Sequence, residues 1–259
     1  MKKFLSIALF LSLIFTMSTT AFAAPSESSA PSHQVSGISV ASSISNEQID
    51  NLPHAIKDRL QEIDATLVSV STEYFDLDPN TGVVTRSTMP EADFEITVTA
   101  SKLSKSEKRY DNLNESDDAY EFMAVGRWYV NPTFEFTDCI GITWSDEFTL
   151  YKDEGYTYSY GKSYKRYSTM TLNDVSPEQG FAYDADLQLL DRQDEIVIMG
   201  RVYKANSSGS ANVCASYGHV IITASSVDVS FSSGKEISFG VSWHAGIETA
   251  SPDYAYFNY

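Results

Sequence analysis

Short runs in which apolar and polar residues alternate recur from residue 65 to the C-terminus of this chain. In "ADFEITVTA", Phe94, Ile96 and Val98 share one face, and "VDVSFSSGKEISFGVSW" (227–243) repeats the pattern on both sides of a Ser-Gly turn. A period of two residues is typical of a strand that buries one face. Regularly spaced strands with turn residues between them favour a sandwich or a barrel. The sequence therefore predicts an all-β fold, mainly an antiparallel β-sandwich.

One segment departs from this period and predicts a helix. In "SNEQIDNLPHAIKDRLQEID", apolar residues recur at intervals of three and four, namely Ile49, Leu52, Ile56, Leu60 and Ile63. Pro53 fits the first turn of a helix but not its interior. We therefore expect one short N-terminal helix over 53–63, within a single β-rich domain that spans 45–259.

The first 23 residues have the three parts of a secretory signal peptide. Lys2 and Lys3 precede a short apolar run, and Ala21-Phe22-Ala23 is an A-x-A cleavage pattern. The apolar run is too short for a stable membrane span. Residues 24–44 are rich in Ser, Ala and Pro, which predicts a flexible leader. We expect a secreted, extracellular protein with no transmembrane anchor after signal cleavage.

The formal net charge of −17 limits the partners of this chain. Nucleic acid and anionic membranes would both be repelled, so neither is expected as a ligand. The segment "DLDPNTG" spaces Asp76, Asp78 and Asn80 as a calcium loop does. However, Gly82 comes one residue late, and Ser87 stands where a bidentate Glu is needed. We predict no cofactor and no metal centre, and calcium is kept as the alternative.

The two cysteines, Cys139 and Cys214, form an even count in a chain with an export signal. In "TDCIGITW" and "NVCASYG", each cysteine falls on the less apolar face of its strand. Neighbouring strands would bring the two thiols together, and an oxidising compartment favours a disulfide. We predict one disulfide between these residues, with two inert thiols as the alternative.

A stretch from 155 to 173 contains no acidic residue, in contrast to the rest of the chain. It predicts two strands around a turn, with tyrosines in alternate positions and three cations among them. Exposed tyrosines suit the apolar faces and hydroxyls of sugar rings, and cations suit phosphates or carboxylates. The alternative is a structural role, because tyrosine favours half-buried strands. The candidate ligand-binding residues are Tyr156, Tyr158, Tyr160, Lys162, Tyr164, Lys165, Arg166 and Tyr167.

Three features together resemble a group of uncharacterised secreted β-rich proteins of Gram-positive bacteria. They are Leu52-Pro53 ahead of a short helix, the segment "DCIGITWSDEFTL", and the closing "GVSW" hairpin. The similarity covers most of the mature chain. It implies a secreted, β-rich protein, and it implies no mechanism and no catalytic residues.

The sequence lacks the motifs G-x-S-x-G, H-E-x-x-H and the P-loop. We therefore predict a secreted or cell-surface binding protein, with a cell-wall or environmental polysaccharide as the first candidate ligand. Enzymatic activity stays open. One alternative is a secreted hydrolase, for which the candidate residues are His219, His244, Asp138, Asp146 and Glu147.

A second alternative is a membrane-active toxin or bacteriocin-like effector. It rests on the hairpin 227–243, which has one apolar and one Ser-rich face. Such a hairpin suits a strand pair with lipid on one side and water on the other. The same pattern also describes a hairpin that covers the core of a sandwich.

Overall fold

A computed structural model describes residues 32–35, 37–78, 84–89, 91–130, 137–145, 148–159, 166–167, 170–187, 194–205, 208–220, 227–232, 236–241, 247–249 and 253–259. The helices are α1 (Asn46–Asp50), α2 (His54–Glu62) and α3 (Lys105–Tyr110). The strands are β1 (Ser32–Val35), β2 (Ile38–Ala41), β3 (Ala65–Leu77), β4 (Val84–Ser87), β5 (Phe94–Leu103), β6 (Asp118–Trp128), β7 (Thr137–Trp144), β8 (Thr149–Ser159), β9 (Arg166–Tyr167), β10 (Met170–Ser176), β11 (Gly180–Asp186), β12 (Asp194–Lys204), β13 (Ser210–Val220), β14 (Val227–Ser232), β15 (Glu236–Val241), β16 (Ile247–Thr249) and β17 (Asp253–Asn258). Strands dominate, and the predicted all-β fold is confirmed.

Two sheets form the sandwich. The larger sheet has the order β1-β2-β3-β5-β6-β12-β8-β9, with β4 also paired to β3. The smaller sheet has the order β10-β11-β7-β13-β16, with β17 also paired to β13. Strands β2 and β3 run parallel, and the other described pairs are antiparallel. The hairpin β14-β15 makes a separate two-stranded sheet.

Large aromatic side chains fill the space between the two sheets. Phe122 on the larger sheet lies 5.9 Å from Trp144 on the smaller sheet, measured between ring centroids. Phe148 and Phe257 pack against the same ring of Phe122, and all four side chains are buried. Burial of each such side chain contributes about 1.5–3 kcal/mol to folding. The core therefore uses the apolar face of each alternating strand.

A second apolar layer covers the outer face of the larger sheet. It is built from β2, α1 and α2, whose apolar residues pack on Val125, Val197 and Met199. Helix α2 begins at His54, directly after Pro53, and ends at Glu62, so the helix predicted over 53–63 is confirmed. Two further short helices, α1 and α3, were not predicted as separate elements.

The predicted flexible leader over 24–44 is wrong from Ser32 onward. Ile38 and Val40 on β2 are at most 1% exposed, and β2 pairs with β3. The strand forms because α2 packs over Ile38 and Val40 and buries them. Two apolar residues therefore suffice for a short strand in a Ser-rich segment. Residues 1–31, including the predicted signal peptide, lie outside the described part. Among the described residues, no helix has the length and hydropathy to cross a bilayer.

The predicted disulfide between Cys139 and Cys214 is not formed, and both residues are buried thiols. They do lie on neighbouring strands, β7 and β13, and on the same face. However, Cys139 is opposite Gly218 and Cys214 is opposite Thr143, an offset of four residues. At roughly 3.4 Å per residue, this offset is about 14 Å along the strands, beyond the reach of a disulfide.

Candidate functional site: a tyrosine pair on the last strand

The predicted tyrosine face on β8 is covered by the N-terminal layer. Tyr156 is 2% exposed and Tyr158 is 4% exposed, because α2 and β2 pack over this face of the larger sheet. The hydroxyl of Tyr158 donates a hydrogen bond to Asp58 on α2 at 2.5 Å. Neither ring can stack on a ligand without removal of the helix. The prediction that these two tyrosines form an exposed binding face is therefore wrong.

The other predicted members of this face give no support for it. Tyr160, Lys162, Tyr164 and Lys165 lie outside the described residues. Arg166 and Tyr167 form β9, which pairs with Tyr158 and Thr157 on β8. The side chains of these two β9 residues also lie outside the described part. For these six residues ligand binding stays a prediction.

Buried charges explain why this face of the larger sheet is structural. Glu195 on β12 accepts hydrogen bonds from the backbone N–H groups of His54 and Ala55, at 2.9 and 2.7 Å. It thus caps α2, where Pro53 offers no side-chain cap. A helix N-terminus stabilises a carboxylate through its dipole.

The last turn of α2 is held by a second carboxylate. Arg59 donates two hydrogen bonds to Glu121 on β6, at 2.7 and 2.6 Å, and Arg201 donates a third at 2.9 Å. Burial raises the pKa of Glu121, but the bonds from Arg59 and the charge of Arg201 outweigh burial and hold the pKa below its usual value. Both ends of α2 are therefore fixed to the sheet by buried carboxylates.

The hairpin β14-β15 lies across the outer face of the smaller sheet. Val227 is buried in a cluster with Cys139 and Ala182, and Ile237 is buried over Gly141. The face beneath is made of small side chains, and a Cβ at Gly141 would lie 3.1 Å from the Cδ1 atom of Ile237. The described apolar side chains of the hairpin thus lie against the smaller sheet.

The hydrolase candidates include one pair that the structure brings together. Asp138 on β7 and His219 on β13 are 0% and 1% exposed, with Nδ1 of His219 2.9 Å from Oδ2 of Asp138. Burial raises the pKa of Asp138, and hydrogen bonds from His219 and Tyr217 oppose that shift. Asp146, Glu147 and His244 lie outside the described residues.

The predicted calcium alternative is not tested by the described residues. Asp76 is described, but Asn80 and Gly82 lie outside the described part. Within that part, no cluster of three or more His, Cys, Asp or Glu side chains is placed to hold a metal ion.

An exposed aromatic surface occurs instead on β17, at the end of the chain. Ala255 and Phe257 face the core, so Tyr254 and Tyr256 lie on the opposite face of this strand. Their rings are nearly parallel, with an interplanar angle of 21° and centroids 6.1 Å apart. Tyr256 is 67% exposed. We call Tyr254 and Tyr256 the tyrosine pair.

Polar groups lie next to the tyrosine pair on the same sheet. Tyr256 is opposite Asn212 on β13, and two positions further, on the same face, Ser210 pairs with Asn258. Ser210 donates a hydrogen bond to Asn258 at 2.9 Å, and both residues are exposed. An aromatic surface bordered by hydroxyl and amide groups can pack on an apolar face of a ligand and bond its polar edge.

The sequence contains a signal for this pair. "DYAYFN" alternates as a strand, with tyrosine at one set of alternate positions and Ala and Phe at the other. Alternation alone does not say which set is exposed. Tyr254 and Tyr256 are on the outer face because Phe257 packs against Tyr120 and Phe122 of the larger sheet.

Comparisons with known proteins give no family for this chain. No family model matches it, and no curated protein matches it. Among solved structures, it is similar to one described as "Pore forming protein", with 7% identity and a TM-score of 0.33, over 68% of this chain and 94% of that chain. It is also similar to one described as manganese lipoxygenase of Gaeumannomyces graminis and part of zonadhesin of Komagataella pastoris, with 11% identity and a TM-score of 0.27, over 74% of this chain and 79% of that chain. At these TM-scores neither likeness carries an argument.

Proposed function

We propose that this protein is a secreted binding protein that holds a neutral polysaccharide on the tyrosine pair of β17. The observation that carries the proposal is the exposure of Tyr256, 67% of its surface, beside the nearly parallel ring of Tyr254. Tyr120, Tyr158 and Tyr217, in contrast, are buried. An exposed aromatic ring beside a half-buried one on a sheet suits a surface for interaction.

Sugar rings match the chemistry of this surface. Their C–H faces pack on aromatic rings, and their hydroxyls exchange hydrogen bonds with groups such as Ser210 and Asn258. The net charge of −17 disfavours an acidic polymer, because the two would repel each other. A neutral polysaccharide is therefore the preferred ligand class.

The proposed location outside the cell rests on the signal peptide over 1–23 and on the resemblance to secreted proteins of Gram-positive bacteria. An exported protein meets polysaccharides of the wall and of the surroundings. The location and the ligand class therefore agree with each other.

A depletion assay tests the proposed ligand. Mature protein (24–259) is mixed with insoluble cellulose, chitin, xylan and β-1,3-glucan, and the unbound protein is measured. We expect depletion by at least one polymer and at least tenfold weaker binding for Tyr256→Ala. Tyr110→Ala is the matched control, because Tyr110 is 81% exposed but lies on α3. Equal loss in both variants, or no depletion by any polymer, would contradict the proposal.

A second candidate function is membrane activity of the hairpin β14-β15. It is favoured by one observation: among the described strands, β14 and β15 pair only with each other. Their register places Phe231 opposite Ile237, and Val227 and Val229 share the face of Phe231 because they alternate with it along β14. Leakage of a dye from liposomes, lost in Phe231→Ser, would support this function. Intact liposomes at all protein concentrations would exclude it.

A further inference from the structure

A recess opens at the end of the sandwich, away from the tyrosine pair. Its enclosed part is about 10 Å³, which is roughly the room that one water-sized group needs, and the rest is open to solvent. Its walls include Phe75, Phe94, Trp128 and Tyr217, and its polar groups come from Asp76 and His219. The described lining contains no Lys or Arg. On β13, His219 is seven residues from Asn212, which is opposite Tyr256, or roughly 23 Å along the strand.

The ring of His219 is held in one orientation by Asp138. Asp138 accepts hydrogen bonds from the backbone N–H of Val220 at 2.9 Å and from the Tyr217 hydroxyl at 2.5 Å. The indole N–H of Trp128 donates to the Tyr217 oxygen at 3.1 Å, so the Tyr217 proton goes to Asp138. Asp138 thus acts as an acceptor, and Nδ1 of His219 carries the proton that it donates to Asp138. In the neutral imidazole, Nε2 of His219 is then an acceptor.

Two buried acceptors in the recess lack partners among the described residues. They are Nε2 of His219 and Oδ1 of Asp76. Buried polar atoms are almost always hydrogen-bonded in folded proteins, and unpaired ones call for an explanation. A ligand with N–H or O–H donors would pair both atoms. A single ligand group with several donors would satisfy both atoms.

We propose that the recess binds a primary ammonium group. An ammonium has three N–H donors, which can reach two acceptors at once. Its positive charge is attracted by the carboxylate of Asp76 and by aromatic rings such as Trp128. The net charge of −17 also draws cations toward the protein. The enclosed part of the recess is small, so the ammonium enters it and the body of the ligand stays at the mouth.

The test uses ethylammonium as the probe and follows the side-chain ¹⁵N resonance of His219 in the mature protein. We expect a saturable shift of Nε2 with ethylammonium. Ethanol has the same size but no charge, and tetramethylammonium has the charge but no N–H donor. Both should bind at least tenfold more weakly. No saturable shift with ethylammonium, or an equal shift with either control compound, would overturn the proposal.

Two variants locate the site. Asp76→Asn keeps the shape of the side chain and removes its charge, and we expect at least tenfold weaker binding of ethylammonium. Asp50→Asn is the matched control, because Asp50 is an exposed residue on α1 and its loss removes the same charge. Equal binding by both variants would assign ethylammonium to another place. The three compounds are compared on the unmodified protein, so the proposal remains decidable if Asp76→Asn does not fold.

This site is independent of the proposed function. Tyr256→Ala should leave ethylammonium binding unchanged, because the tyrosine pair lies at the other end of β13. Asp76→Asn should likewise leave polysaccharide binding unchanged. Failure of one proposal can therefore be told from failure of the other.

Discussion

Glu195 accepts a hydrogen bond from the backbone N–H of Ala55 at 2.7 Å, although 140 positions separate the two residues in the chain. This bond joins a buried carboxylate of the larger sheet to the first turn of α2. It makes the N-terminal layer a part of the fold rather than an appendage. The tyrosines of β8 are buried as a consequence.

Glu195→Gln should therefore destabilise the protein. The N–H groups of His54 and Ala55 bind different oxygens of Glu195. In Gln, one of these oxygens is replaced by an NH₂ group that donates and cannot accept, so the helix loses part of its cap. We expect a loss of about 1–2 kcal/mol in the free energy of unfolding, measured by urea denaturation. Glu178→Gln, at an exposed turn, is the control and should change little. A stability equal to that of the control would show that the cap contributes nothing.

Glu121→Gln should cost more at neutral pH. Its removal takes away the buried carboxylate that Arg59 and Arg201 share, and breaking a buried pair costs about 3–5 kcal/mol. Arg201 keeps its pairs with Glu107 and Asp111, so we expect a loss at the lower end of this range. Glu62→Gln is the matched control, since Glu62 pairs with the same Arg59 at the surface. That exposed pair contributes about 0–1 kcal/mol. Equal effects of the two substitutions would refute the role assigned to Glu121.

The difference in stability between the unmodified protein and Glu121→Gln should depend on pH. The pKa of Glu121 is lowered in the folded state. Its contribution is therefore fully present above the unfolded pKa, about 4.3, and is lost as pH falls through the folded pKa. We expect the stability gap between unmodified protein and Glu121→Gln to narrow below pH 4. A gap that stays constant from pH 7 to pH 3 would contradict this sign.

The hairpin β14-β15 should protect the thiol of Cys139. Ile237 packs on the face that contains Cys139, and burial together with the nearby Asp184 raises the pKa of this thiol. Ile237→Ser should loosen the hairpin and increase the rate of labelling by a thiol reagent at least tenfold. Ser230→Ala, on the exposed side of the same hairpin, should label as slowly as the unmodified protein. Equal rates in both variants would show that the hairpin does not cover the thiol.

Gly155 allows the two sheets to approach each other. A Cβ at Gly155 on β8 would overlap the ring of Tyr183 on β11. Gly155→Ala should therefore cost about 1–3 kcal/mol in thermal or urea unfolding. In the background of Tyr183→Ala, which removes the ring, the same substitution should cost much less. Additive effects of the two changes would show that the ring and the glycine are not coupled.

The parts of the fold that could be predicted from the sequence are the elements with a clear local periodicity. Alternation at Phe94, Ile96 and Val98 reports a strand because side-chain direction repeats every two residues. Spacings of three and four residues around Ile56 and Leu60 indicate α2, because residues three and four apart share one face of a helix. These patterns are properties of the backbone within one element, so the sequence alone suffices for them.

The candidate site could not be predicted in the same way. Alternation shows that Tyr156 and Tyr158 share a face, as do Tyr254 and Tyr256, but both patterns look alike in the sequence. The first pair is buried because α2 lies over it, whereas in the second pair Tyr256 is 67% exposed and Tyr254 is half-buried. Which face is covered depends on contacts between residues more than a hundred positions apart.

By itself, the sequence determined the strand-rich composition of the fold, the position of α2 and the acidic charge, since each follows from local order or from a sum over residues. Tertiary structure alone decided the register that separates Cys139 from Cys214, the pairing of Asp138 with His219, and the exposure of Tyr256. The physical reason is that register and packing are chosen by the free energy of the whole sandwich. A shift along one strand moves every side chain relative to its neighbours on the next strand. The register therefore cannot be read from the sequence of one segment.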